Sequence, residues 1–222
     1  MSAPLENYAL IGDAETAALV DRGGSIDWYC VPRGDSGACF AALLGDARHG
    51  RWLLAPAGGV REIRRRYRPE TLVLETDFVT ESGTARLIDC MPAHGTSAQL
   101  VRIVEGVKGR VAMKMELVIR FDYGFIVPWV RTYGGALHAV AGPDALCLRS
   151  AVESRGKGLT TVAEFEVERG DRVPFVLSWH ASHLDPPPPL NPVRTVQQTE
   201  RWWRRWCSAS NYRGPWRDAV MR

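Results

Sequence analysis

Three side chains able to hydrogen-bond or hold charge share one short loop, Pro32-Arg33-Gly34-Asp35-Ser36-Gly37. Arg33 offers a guanidinium, Asp35 a carboxylate and Ser36 a hydroxyl. Loops carried by a rigid scaffold are where binding groups concentrate. The same residues also make an ordinary turn, because Asp and Ser hydrogen-bond to nearby backbone. Two more carboxylates end apolar strands: Asp89 in LIDCMP and Asp122 in RFDYG. At a strand end, a turn role outweighs that of an acid catalyst. Glu164, Glu166 and Glu168 alternate with apolar residues and read as a solvated face. The five histidines (His49, His94, His138, His180 and His183) show neither H-x-x-x-H nor H-E-x-x-H spacing. His180 and His183 are three apart beside a proline run, which falls short of a metal site, so no metal is expected. No phosphate loop, nucleophile elbow or dinucleotide fingerprint occurs, and no cofactor is expected. Sugar C–H faces stack on aromatic rings, and the chain has eight tryptophans. Trp28, Trp129 and Trp179 fall on strands, where burial is the default. Trp129 follows Pro128 in a less regular stretch and is the better candidate for a surface role.

The elements that must position these groups are mostly strands. Thr16–Asp21 and Ser25–Cys30 alternate and flank Arg22-Gly23-Gly24, a hairpin signal. Met113, Met115, Leu117, Ile119 and Phe121 alternate with Lys114, Glu116 and Arg120, which predicts a strand over 111–121 with one face in the core. Further strands are expected at 50–55, 61–67, 71–80, 84–90, 100–106, 136–141, 145–152, 161–168 and 172–179. Turn signals separate them at Glu81-Ser82-Gly83, Lys108-Gly109, Gly134-Gly135, Gly142-Pro143-Asp144 and Arg169-Gly170-Asp171. Many strands with glycine turns predict an all-β fold, a large antiparallel sandwich, over residues 1–183. Residues 184–192 carry four consecutive prolines and read as a stiff linker. From 193 the period becomes helical. Val196, Thr199, Trp203 and Trp206 share a face, and Glu200 and Arg204 are spaced for an ion pair. Trp202, Trp203 and Trp206 need a surface to pack on, in this domain or on a partner. Tyr212–Arg222 reads as the start of another helix, with Pro215 in its first turn.

Composition narrows the partners. The net charge of +3 over 222 residues implies neither nucleic acid nor a membrane. The cluster Arg61, Arg64, Arg65, Arg66 and Arg68 is interrupted by Ile63 and Tyr67, as on the exposed face of a strand. Five scattered cysteines with no C-x-x-C spacing read as reduced thiols of a cytoplasmic protein. Met1–Asn7 has no signal-peptide pattern.

The motifs also run in the order of a known family. They are IGDAETAALVDRGGSIDW at 11–28, CVPR, DS and ACFAALLG up to Gly45, HGRWLLAP at 49–56 and RRYRPETLVLET at 65–76. RLIDCMP at 86–92, LVRIVEGVKG at 100–109, RFDYG at 120–124, VPWV at 127–130 and AGPDAL at 141–146 follow. VPFVLSWHASH at 173–183, TERWW at 199–203 and YRGPWRDAV at 212–220 complete the series. This series resembles the opening of bacterial glycoside hydrolase family 15 proteins, the glucoamylase and trehalase-like enzymes. The resemblance implies a super-β-sandwich leading, through the helical segment 193–222, to an α/α-barrel catalytic domain. In the family two glutamates of that barrel act as acid and base with inversion, a geometry needing carboxylates about 6.5–9.5 Å apart. No residue here matches those motifs, so no catalytic residue is carried over.

The family usually has a large apolar residue in place of Gly34, often proline in place of Gly37, and an aromatic in place of Cys90. The two glycines loosen the loop. What the resemblance implies is a non-catalytic accessory domain that packs on a barrel, in cis or in trans, and helps shape its active-site rim. Arg33, Asp35, Ser36, Asp122, Tyr123 and Trp129 are the expected rim or interface residues, with Trp202, Trp203 and Trp206 packing on the partner. The implied ligand is an α-glucoside, and the C-terminal helix offers a route to an oligomer. The alternatives are a stand-alone carbohydrate-binding module or one half of a split hydrolase.

Overall fold

The structure is a computed structural model and describes residues 3–93 and 97–221, so His94 lies outside the described residues. In chain order the first strands are β1 (Ala9–Gly12), β2 (Ala17–Val20), β3 (Ser25–Cys30), β4 (Ala38–Phe40), β5 (Arg51–Pro56), β6 (Val60–Tyr67), β7 (Leu74–Thr80) and β8 (Gly83–Cys90). Then come β9 (Gln99–Val118), β10 (Trp129–Tyr133), β11 (Ala136–Ala141), β12 (Asp144–Ser150), β13 (Arg155–Lys157), β14 (Thr160–Glu168) and β15 (Arg172–Ala181). Two helices close the chain, α1 (Pro192–Ser208) and the short α2 (Arg217–Val220).

The strands form two antiparallel sheets that share β9. Its C-terminal half pairs with β5 and β14, in a sheet that continues through β3, β2 and β1. Its N-terminal half pairs with β8 and β15, in a sheet running from β6 at one edge to β10 at the other. The inner faces make one core. Ile11, Val20, Ile26, Trp52, Leu54 and Met115 come from the first sheet, and Phe78, Leu87, Leu100, Val104, Phe175 and Leu177 from the second. The expected all-β sandwich is therefore present.

Two strands expected at 100–106 and 111–121 are in fact the single strand β9. The Lys108-Gly109 signal marks the point where the strand passes from one sheet to the other, not a reversal. Gly109 has φ 65°, and a Cβ there would lie 2.1 Å from the Ser82 carbonyl oxygen. Glycine permits the close crossing that any other residue would block.

Asp89 is not a turn residue. It sits within β8, opposite Arg102 of β9. Both side chains are fully buried, with Arg102 Nε donating to Asp89 Oδ1 at 2.7 Å. The same guanidinium crosses the core to the first sheet. Nη1 donates to the Trp52 carbonyl at 2.6 Å and Nη2 to that of Gly24 at 2.8 Å. The Trp52 ring lies beneath, 5.1 Å from the guanidinium carbon. Gly24 ends the β2–β3 hairpin turn with φ 84°, and a Cβ would come within 2.3 Å of the Leu54 carbonyl oxygen.

The segment after β15 is irregular as far as Asn191, whose side chain caps α1 by accepting from the Arg194 N–H at 3.0 Å. The helix lies on the outer face of the second sheet. Val196 joins Val73, Ile88, Cys90, Val101, Ile103 and Val176 in a second apolar cluster. Glu200 takes the expected partner Arg204 at 3.1 Å and also pairs with Arg68. The buried stripe is Val196, Thr199, Trp203 and Cys207, with Trp206 exposed. At about 100° per residue, Cys207 lies ~20° from Val196 around the helix and Trp206 ~80°.

All five cysteines are free and buried. Burial pushes the Cys39 thiol well up and Cys90 to about 12. A thiol reagent at pH 8 is therefore expected to leave the native protein unmodified and to modify all five after unfolding in urea. Asp89→Asn leaves Arg102 buried without its counter-charge. It should lower unfolding stability by about 3–5 kcal/mol in a urea titration.

Candidate functional site

The β3–β4 loop and the turn that follows β9 meet at one end of the sandwich. In the loop, Arg33 clamps Asp35 in a two-bond pair, Nε to Oδ1 at 2.9 Å and Nη2 to Oδ2 at 3.1 Å. Both side chains are about 70% solvent-exposed. Ser36 Oγ accepts from the Arg33 N–H at 3.3 Å, and the Ser36 N–H donates to the Arg33 carbonyl at 3.0 Å. The Gly34 N–H ties the loop to the Glu15 carbonyl at 3.1 Å. The hydrogen bond from Arg33 holds the Asp35 carboxyl below its ordinary range, and Asp35 raises Arg33 in return. A carboxylate so held is a hydrogen-bond acceptor, not an acid poised near neutrality.

Across from this loop, Asp122 and Tyr123 occupy a short turn with φ of 49° and 58°. The Tyr123 hydroxyl lies 3.5 Å from the Ser36 carbonyl oxygen, and its ring centre is 6.0 Å from that of Trp28. A Cβ on Gly37 would sit 3.8 Å from the Asp122 Cα. Five of the six rim residues expected from sequence (Arg33, Asp35, Ser36, Asp122 and Tyr123) are thus brought together. Trp129 is placed apart from them, at the start of β10. There the Arg131 guanidinium covers one ring face at 4.6 Å.

What joins the two places is an apolar stretch that sequence reasoning missed. Phe125, Ile126, Val127, Trp129, Val130 and Tyr133 are all exposed, Phe125 to 86% and Trp129 to 68%. The signal was available, because FIVPWV has no polar residue to alternate with and cannot supply a solvated strand face. Beside this ridge lies a pocket of about 330 Å³ lined by Arg120, Arg131 and Arg155, with no acidic residue in its wall. Arg120 is buried and donates to the Ile119 carbonyl at 2.6 Å and that of Leu159 at 3.2 Å. Burial pulls its pKa down. Among the described residues, Glu164 at 3.9 Å is the one carboxylate in ion-pair reach of Arg155.

Glu166 and Glu168 pair with Arg110 on an exposed face, as their alternation predicts. Among the described residues no group of three His, Cys, Asp or Glu could hold a metal ion. Trp203 is buried against its own sandwich, so its ring is not offered to a partner. Trp206 is 64% exposed and stacks on Trp202 with ring centres 5.4 Å apart. Among the described residues no helix is long and apolar enough to cross a membrane.

A model of the trehalase-like N-terminal domain matches residues 1–203. The chain belongs to this family. It is 30% identical to the trehalase of Mycobacterium tuberculosis over 247 aligned residues, covering 99% of this chain and 36% of that protein. The trehalase of Mycolicibacterium smegmatis gives 30% identity with 99% and 37% covered, and that of Thermoplasma volcanium 25% with 98% and 36%. The trehalase-like domain thus spans little more than a third of these relatives.

The two loop glycines are not required by the backbone. Neither Gly34 nor Gly37 has a left-handed φ, and a Cβ at either meets nothing closer than 3.5 Å. Gly34→Ala and Gly37→Ala should each raise stability by about 0.4–1 kcal/mol, by restricting the unfolded chain. Urea midpoints of the two variants check this.

Proposed function

We propose that this chain is a non-catalytic accessory domain of an α-glucoside hydrolase of the glycoside hydrolase family 15 type. Its exposed ridge docks on a helical catalytic domain, supplied in cis or in trans. The observation that carries the reading is the ridge Phe125–Tyr133, a contiguous apolar surface with aromatic anchors at Phe125 and Trp129. Surfaces of this kind mark interfaces, and large aromatic anchors dominate their energetics. The neighbouring Arg131 and Arg155 suit an acidic face on the other side. Relatives nearly three times as long leave ample chain for the catalytic part.

The chemistry of this end of the sandwich supports a positioning role. Inverting hydrolysis takes two carboxylates across a water. Here Asp35 is neutralised by Arg33, and Asp122 has no second carboxylate hydrogen-bonded or ion-paired beside it among the described residues. What the loop offers is an array of hydrogen-bonding groups at the edge of the docking ridge, suited to the hydroxyls of a glucoside held mainly by the other domain. The stand-alone sugar-binding alternative has less behind it. Arg131 covers one face of Trp129, and Trp202 and Trp206 stack on each other instead of lying side by side.

Joining this chain to the remaining part of the Mycolicibacterium smegmatis trehalase should give a chimaera that releases glucose from trehalose, while this chain alone releases none. Phe125→Ser combined with Trp129→Ser should lower the chimaera's turnover tenfold or more and leave the urea midpoint of the isolated domain unchanged. Glucose release by the isolated chain overturns the reading, as does a chimaera indifferent to the double substitution.

A further inference from the structure

The outer face of the second sheet holds a cavity that the docking reading does not use. After β15 the proline-rich segment turns back across the sheet to reach α1. Between this strap and the sheet lies a space of about 330 Å³, walled by Pro174, Val176, Pro188 and Leu190 and bearing the side chains of Arg149 and Ser178. That volume is at the lower end of small-molecule sites. Arg149 is opposite Val176, and Cys147 is opposite Ser178. Arg149 and Ser178 are therefore diagonal neighbours on one face of adjacent strands, close enough to act on one small group.

The buried serine hydroxyl is unsatisfied, and the half-buried guanidinium beside it has no counter-charge among the described residues. Ser178 is 1% exposed and its Oγ has no hydrogen-bond partner. Among the described residues Arg149 has no carboxylate within ion-pair distance, although it is half-buried. Further along the same face, His138 Nδ1 and His180 Nε2 are also buried without partners. Buried polar atoms of native proteins are nearly always paired, so the orphan Ser178 hydroxyl in the cavity wall calls for an occupant. A water would answer the serine hydroxyl and leave the guanidinium's charge uncompensated. A carboxylate answers both, because guanidinium binds it through parallel N–H donors and the hydroxyl adds a third bond. Proline, valine and leucine walls then suit an apolar body attached to that carboxylate.

We propose that the cavity beneath the proline strap binds a small organic carboxylate, its anionic end on Arg149 and Ser178 and its hydrocarbon end against Val176, Leu190 and the strap prolines. No bond is made or broken, and the site adjoins the docking ridge only where Gly134-Gly135 follow Tyr133.

Titration of the intact ¹⁵N-labelled chain with sodium phenylacetate, followed by amide NMR, tests this. Saturable shifts are expected at residues 134–135, 149–151, 176, 178 and 190, the amide-bearing lining of the cavity. Phenylacetamide, the neutral isostere, should bind at least tenfold more weakly. Arg149→Gln should weaken phenylacetate tenfold or more, Arg149→Lys less, and Ser178→Ala about threefold. Equal binding of the amide overturns the proposal without recourse to any variant. So do wild-type affinity in Arg149→Gln, shifts that map elsewhere, and the lack of saturable shifts up to 10 mM phenylacetate.

Discussion

A guanidinium stripped of water must be given charge and acceptors by the protein, and that requirement at Arg102 organises this domain. The side chain starts on one sheet and ends on the other. Its counter-charge, Asp89, comes from the neighbouring strand of its own sheet, and its remaining donors reach the Trp52 and Gly24 carbonyls of the facing sheet. An apolar core sets how far apart two sheets lie but tolerates sliding. Three directional partners and a ring beneath the guanidinium fix one lateral position. Burying such a pair gains little net stability over a well-packed apolar alternative, because desolvation offsets the attraction. What it supplies here is register, and the Gly24 turn is shaped to present its carbonyl to that site.

From that fixed point the rest follows along β9. The strand that carries Arg102 in the second sheet also carries Met113, Met115 and Leu117 in the first. Beyond Val118 it has no further partner strand, and the chain must travel from the first sheet to β10 at the far edge of the second. Phe121 and Ile126 form a lone bridge on this path. A crossing segment at the end of a sandwich has no layer above it, so Phe125, Ile126 and Val127 are left in solvent. The ridge is thus a product of topology, and its apolar composition is what the sequence chose to place there.

Much of this was legible in the residues. Period-two alternation located eleven of the fifteen strands, missing β1, β4, β10 and β13, and the switch to a helical period at Val193 located the start of α1 within one residue. The misreadings share a physical cause, which is that a local pattern does not report what lies across the core. Lys108-Gly109 has turn composition, yet glycine there serves a close crossing of chains. Asp89 at the end of an apolar run has turn character, yet its partner sits thirteen residues away on the next strand. Arg33 and Asp35 looked like a site because their types suit chemistry; the structure spends them on each other. The ridge was overlooked for the opposite reason, since FIVPWV carries no group that does chemistry.

The two edges of the second sheet sharpen the meaning of that ridge. An edge strand exposes unpaired backbone and invites further strands, and proteins blunt it with charge. At the β6 edge this is done thoroughly. Arg61 pairs with Glu81 at 2.6 Å, Arg64 with Glu62 at 2.7 Å, and Arg66 reaches Asp77 at 3.3 Å. Arg65 turns inward to the Asn7 carbonyl at 2.7 Å. The β10 edge, on the same sheet and in the same chain, presents Trp129, Val130 and Tyr133, with Arg131 as its only charge and that charge folded over a tryptophan ring. One composition cannot account for both edges if both face water throughout. The charged edge is protected against association, and the apolar edge, continuous with Phe125–Val127, lacks that protection, in keeping with the proposed docking role. Pro128, buried at the head of β10, withholds a backbone donor there. That favours a partner that meets the ridge through side chains, as a helix surface does, over one that adds a strand.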